Sequence, residues 1–257
     1  MREQAGSSVR QSGAAAAITA AVALVAFSMP LTGFSSVTDQ FINMGIDTGL
    51  QIIQDPGDFL FDVHLVSQDR TPLPVGKAFQ GGINLFPNLI PWGQLASSWK
   101  AQLHREHGGW PQIDTFFGGW SFVPAWFIKT DDFKGASFWG YHGGLDVSES
   151  VDPHLRLFVG YEYTQMRIGA TWSKPLKLEE MEISSINVGK SEHFAFVGAE
   201  LMQAQAKRLV LETGYGLVSS KIMMKVTWSS RNFDTGIVLY PEGACVIWPM
   251  WNFQVRF

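Results

Sequence analysis

From residue 154 to the end of the chain, apolar and polar residues alternate in segment after segment, the period expected of strands with one apolar face. Leu155, Leu157, Val159, Tyr161 and Tyr163 oppose Arg156, Gly160 and Glu162. Ala195, Val197, Ala199 and Leu201 oppose Phe196, Gly198 and Glu200. Leu209, Leu211, Thr213, Tyr215 and Leu217 oppose Arg208, Glu212, Gly214 and Gly216. Ile222, Met224, Val226 and Trp228 oppose Lys221, Lys225 and Thr227, and Phe233, Thr235, Ile237 and Leu239 oppose Asp234 and Gly236. No charge falls on the apolar side of any of these strands.

The final segment, WPMWNFQVRF, continues the pattern: Trp251, Phe253, Val255 and Phe257 share one face, and Asn252, Gln254 and Arg256 the other. An apolar stripe that runs to a terminal aromatic residue resembles the C-terminal strand of bacterial outer-membrane β-barrels. The resemblance covers about ten residues and identifies a class of protein. It implies that Trp251, Phe253, Val255 and Phe257 form a signal read by the barrel-assembly machinery, and that the other partner is outer-membrane lipid.

The N-terminus agrees with export. Arg2 and Arg10 precede an uncharged run, Ala14 to Met29, of signal-peptide proportions and too short for a transmembrane helix. Ala26 with Ser28, or Gly33 with Ser35, offers a small-residue pair for cleavage, so the expected division is a signal peptide over 1–35, a lead-in over 36–57 that forms a first strand or plug, and a barrel over 58–257. An uncleaved membrane anchor is the competing reading.

Composition sharpens the class. The chain is 46% hydrophobic but only 16% charged, with 26 Gly and 10 Trp. No later stretch is long and apolar enough to span a bilayer as a helix. The net charge of −4 implies no nucleic-acid partner, and the lone Cys245 cannot form an intramolecular disulfide. The fold class expected is all-β, an antiparallel transmembrane barrel of 10–12 strands, with a secreted β-sandwich as the alternative. Glycines on the polar face favour the barrel, because glycine weakens a solvated strand but suits a crowded interior. Aromatics near strand ends favour it too.

Connection lengths set a sidedness. With both termini on the periplasmic side, the short turns near Ser230 to Asn232, Gln203 to Ala206 and Ser148 to Pro153 are periplasmic, and the long connection Ser173 to Glu192 lies outside. Part of it, Lys174 to Ile183, reads as a solvated loop or short helix. Upstream, strands are predicted over 113–129 and 136–147, with KTDDFKG between them as a second outer loop. Weaker candidates cover 58–67, 78–86 and 94–103, which makes eleven, whereas the termini require an even number. Either Ile46 to Ile53 supplies a twelfth strand, the preferred solution, or one candidate is not a strand and the barrel has ten.

The inward faces carry the candidate chemistry: Asp62, His64, His142, Asp146, Arg156, Glu162, Glu200, Arg208, Glu212, Lys221, Lys225, Asp234 and Arg256. The near balance of sign fits an interior of ion pairs and gives no strong ion selectivity. Two functions are compatible with it: a small-solute channel or transport protein, and a structural or interaction barrel with no open pore. A lipid-acting enzyme is third, since barrels of that kind set Ser and His on the outer wall. There is no His-x-Ser arrangement and no Gly-x-Ser-x-Gly elbow, and a His142 dyad with Asp146 or Glu162 lacks a nucleophile. The two histidines of His104-Arg105-Glu106-His107 are too few for a metal site. No enzyme activity, cofactor or metal is expected.

Overall fold

A computed structural model describes residues 56–86, 94–122, 133–178, 181–204, 207–243 and 246–257. The signal peptide and most of the lead-in, the Ile46 to Ile53 segment, part of the KTDDFKG loop and Cys245 lie outside the described residues. One helix, α1 (Pro56–Val66), precedes ten strands: β1 (Phe79–Phe86), β2 (Gln94–His104), β3 (Gln112–Phe122), β4 (Phe133–Ser150), β5 (Leu155–Leu178), β6 (Met181–Ala204), β7 (Lys207–Gly216), β8 (Ile222–Ser229), β9 (Phe233–Leu239) and β10 (Ile247–Arg256).

Each strand pairs antiparallel with its neighbour in sequence, and β1 pairs with β10, so the sheet closes into a barrel of ten strands. Ten is the lower of the counts that parity allowed. The seam is sealed at the last residue: the N–H and C=O of Phe257 exchange hydrogen bonds with those of Gly81, each of 3.0 Å. A closed sheet leaves no edge strand to be covered.

The period-two reading fixes which way each strand faces. In β9 the alternation is complete, with Phe233, Thr235, Ile237 and Leu239 exposed and Asp234, Gly236 and Val238 buried. Exposed Leu145, Tyr161, Leu211, Trp228, Ile237, Trp251 and Val255 together form an apolar belt around the outside. The inside is crowded. The ring of Phe196 lies over Gly160, and that of Phe158 lies over Gly198 on the neighbouring strand, so that a methyl group at either glycine would come within 2.3 Å of ring carbon.

The ends of β2, β4, β6 and β8 lie at one mouth, where β10 also ends, with the turns at 105–111, 151–154 and 230–232. The ends of β1, β3, β5, β7 and β9 lie at the other, the far mouth, with the turn at 217–221. The expected loop from Ser173 to Glu192 is instead a β-hairpin: β5 and β6 stay paired through Leu176↔Ile183, Lys177↔Glu182 and Leu178↔Met181. Below Phe194, β6 also pairs with β7; beyond it, the hairpin projects with β5 and β6 paired to each other. An opposite-charge cross-strand pair, Lys177 and Glu182, supports strands in what had read as a loop or short helix.

The segment 58–67 is the second correction. It is helical and stands inside the barrel. Pro56 at its start has the φ a first helical turn needs, and Asp58 in that turn complements the positive end of the helix dipole. Phe61, Asp62, Val63, His64, Leu65 and Val66 are all buried, on every side of the helix. A ten-stranded ring is wider than the eight-stranded one that side chains alone can fill, and α1 with the chain that follows it occupies the difference.

Candidate functional site: a plugged lumen

The chain from Asp58 to Val75 threads the barrel from the far mouth to the mouth where β10 ends, and the wall grips it along the way. At the far mouth, Lys190 on β6 contacts Asp58, and Lys221 lies 3.8 Å from Asp62. One turn deeper, Trp120 donates to Nδ1 of His64 over 2.7 Å, and Oγ1 of Thr164 lies 2.8 Å from its Nε2. Because the indole N–H can only donate, Nδ1 of His64 carries no proton and the imidazole is neutral.

The centre is held by Arg70, whose side chain is wholly buried. Its Nε lies 3.0 Å from Oε2 of Glu162, its Nη2 donates to Oε1 of the same carboxylate over 3.1 Å, and its Nη1 lies 3.3 Å from Glu212. The guanidinium also stacks over the ring of Phe194, 4.4 Å from its centroid. A charge taken out of water is stable only when it is paired and hydrogen-bonded, and Arg70 meets both conditions.

Below α1 the plug has no regular structure, so its carbonyls need partners from the wall. Wall cations supply them. Lys225 donates to the carbonyl of Gln68 over 2.6 Å, Lys100 to that of Thr71 over 2.6 Å, and Arg156 to that of Leu73 over 2.7 Å. The N–H of Leu73 is accepted by Asp114 over 3.0 Å. Lys100 is also paired with Asp69 at 3.0 Å.

Of the residues predicted to line the lumen, Asp146, Arg156, Glu162, Glu200, Glu212, Lys225 and Asp234 are buried. His142, Arg208, Lys221 and Arg256 are partly buried. Arg156, Glu162, Glu212, Lys221 and Lys225 meet the plug, while Glu200, Arg208, Asp234 and Arg256 form a second group at the β10 mouth. There Arg208 lies 2.8 Å from Glu200, and Arg256 lies 2.5 Å from Asp234. His142 meets the plug through its ring, whose centroid lies 6.5 Å from that of His64, and Asp146 belongs to neither ion-pair group. Nδ1 of His142 and both carboxylate oxygens of Asp146 have no hydrogen-bond partner among the described residues. Asp62 and His64 do lie in the lumen, but on α1 and not on a wall strand.

Sequence reasoning missed Arg70, Lys100 and Asp114, which hold the plug. Lys100 and Asp114 do fall on the inward positions of β2 and β3, where a strict period-two count finds them. Arg70 belongs to irregular chain, and no periodicity points to it. The histidines of the 104–107 turn serve the turn itself: His104 Nδ1 donates to the carbonyl of Pro111 over 2.9 Å, and His107 bridges to Trp110. No protein-family model matches the chain, and no curated protein matches it significantly.

Proposed function

We propose that this chain is an outer-membrane β-barrel whose lumen is closed by its own N-terminal plug, and that it acts as a structural or interaction barrel with no standing pore. The observation that carries the reading is an inversion of the soluble arrangement. Charges are gathered in the interior while Leu145, Leu211, Trp228, Ile237 and Val255 are exposed in a continuous outer belt. An apolar surface of that extent in water favours association, whereas in lipid it is the expected surface of a barrel.

The plug supports the second half of the proposal. Five charged wall residues are already committed to partners on the plug: Glu162 and Glu212 to Arg70, and Lys225, Lys100 and Arg156 to backbone carbonyls. A diffusing ion would have to displace these contacts. The projecting β5–β6 hairpin then becomes the natural contact surface, on the outside of the cell if the β10 mouth faces the periplasm.

Reconstitution of the purified protein in planar bilayers tests the reading. The wild type is expected to give no conductance steps, and steady channels without any trigger would overturn the closed state. Recovery of the mature protein from cells without detergent would overturn the membrane assignment itself. A second reading, a gated channel, is favoured by the polar character of the plug's anchors, which water can replace one by one. It differs in requiring conductance under a stimulus that expels α1.

A further inference from the structure

We propose that the mouth at which β10 ends carries a binding site for a phosphate-bearing anion. A cavity of about 550 Å³ opens there. Four chain segments supply five cations to its lining: Lys77 from the link between plug and β1, Lys207 and Arg208 from the start of β7, Arg231 from the turn between β8 and β9, and Arg256 from β10. Glu200 is the one acidic side chain in the lining. In a chain with a net charge of −4, this concentration of positive charge is local and specific.

Part of that charge is already used. Arg208 pairs with Glu200 at 2.8 Å, and Arg256 pairs with Asp234 at 2.5 Å and donates to the carbonyl of Ser230 at 2.6 Å. The side chains of Lys77, Lys207 and Arg231 are exposed and have no hydrogen-bonded or ionic partner among the described residues. In addition, Nε of Arg256 is buried without a hydrogen-bond partner. Three uncommitted cations and one unsatisfied guanidinium N–H therefore line a cavity that repels cations and is large enough for more than one phosphate group.

Guanidinium groups match the planar oxygen pairs of a phosphate, and a multiply charged anion gains most where several cations have no competing carboxylate. The ligand class is thus a phosphate-bearing one, supplied either by a soluble phosphate ester or by the head group of an anionic phospholipid. Phe257, on the cavity's rim and exposed, sits where the acyl chains of such a lipid would leave the site. Because Lys77 belongs to the chain leaving the plug, occupancy would also tie the plug's exit to the wall. The site depends on the cavity and its charges, and not on the closed state of the lumen.

The test uses the purified full-length protein in a zwitterionic detergent at low salt, titrated calorimetrically with inorganic pyrophosphate. The wild type is expected to bind, and a Lys207→Gln/Arg231→Gln variant to bind about tenfold more weakly or worse, as the loss of charge-assisted hydrogen bonds implies. Lys134→Gln, an exposed cation at the far mouth, is expected to bind as the wild type does. Both substituted lining residues are exposed, and an unchanged heat-induced gel shift will verify that the variants fold. Repeating the titration in phosphatidylcholine nanodiscs with and without phosphatidylglycerol separates the sources. Loss of pyrophosphate binding in the presence of phosphatidylglycerol supports a head-group site, and undiminished binding supports a soluble ester. Absence of pyrophosphate binding by the wild type, or equal binding by all three proteins, would overturn the proposal.

Discussion

Trp120 donates its indole N–H to Nδ1 of His64 over 2.7 Å, and this bond fixes the protonation state at the heart of the barrel. An indole nitrogen can only donate, so Nδ1 carries no proton and the neutral ring bears its hydrogen on Nε2, facing Oγ1 of Thr164 at 2.8 Å. A second proton on the ring would set two donors, the indole N–H and Nδ1–H, against each other.

The pH dependence follows with a definite sign. In the plugged state Nδ1 of His64 accepts from Trp120, which a doubly protonated ring could not do. The unplugged ring is free to take a second proton, so the stability supplied by neutral His64 is present above the ordinary imidazole range, about pH 6.5, and is lost as pH falls below it. The thermal midpoint of the plugged state is expected to drop between pH 7 and pH 4. In His64→Gln, whose amide oxygen can still accept from Trp120, that drop should shrink; an identical drop in both proteins would show that other groups govern it.

Removing the central cation should loosen the plug. Arg70→Met takes from buried Glu162 and Glu212 the cation that both contact and leaves Lys225 as their nearby counter-charge, a change that typically costs about 3–5 kcal/mol. The expected result is a lower thermal midpoint together with conductance in planar bilayers, which is not expected of the wild type. A variant as silent and as stable as the wild type would show that the ion pairs are not what keeps the plug in place.

Gly198→Ala tests the packing of the wall against itself. The added methyl would lie 2.3 Å from the Phe158 ring and 2.4 Å from the carbonyl oxygen of Leu211. The ring can shift but the backbone oxygen can do so only at the expense of the ladder, so a loss of about 1–3 kcal/mol is expected in thermal or denaturant unfolding. Phe158→Leu in the same chain should restore part of it, and no restoration would locate the strain at the backbone contact alone.

Phe257→Ala should weaken closure. The ring of Phe257 packs edge-on against Trp99, with centroids 5.7 Å apart, and over Gly81, directly beside the two hydrogen bonds that seal β10 to β1. Less folded, heat-shifting protein is expected in the membrane fraction at equal expression. An unchanged yield would mean that neither the seam nor the terminal signal depends on the aromatic ring.

Sidedness can be read on intact cells. In a Cys245→Ser background, Ser185→Cys on the projecting hairpin is expected to react with a membrane-impermeant maleimide, and Asp152→Cys at the β10 mouth is not. The reverse pattern would invert the orientation.

The strands were legible because a barrel wall has two chemically different faces, and a period of two writes that difference directly into β5 to β10. Position 58–67 failed for the complementary reason. A helix surrounded by wall on all sides has no solvent face, so α1 carries no amphipathic stripe, and Asp58, Asp62 and His64 alternate with Phe61 and Val63 as if on a strand. Only Pro56 and Asp58 at its start spoke for a helix. The ion pairs were half visible: Glu162, Glu212 and Lys225 sat on inward positions, but their partners belong to irregular chain whose course no pattern encodes.

Hydrogen bonding between β1 and β10 turns the wall into a ring with a filament through it. Once that seam has zipped, 56–74 can neither enter nor leave sideways, and any chain N-terminal to Pro56 has to be drawn through lengthwise. The order of events is therefore constrained by topology: the filament must already lie within the curling sheet when Phe257 meets Gly81. Among the described residues the plug and the ten strands make eleven traverses, an odd number, so Pro56 and Phe257 lie on opposite sides of the ring.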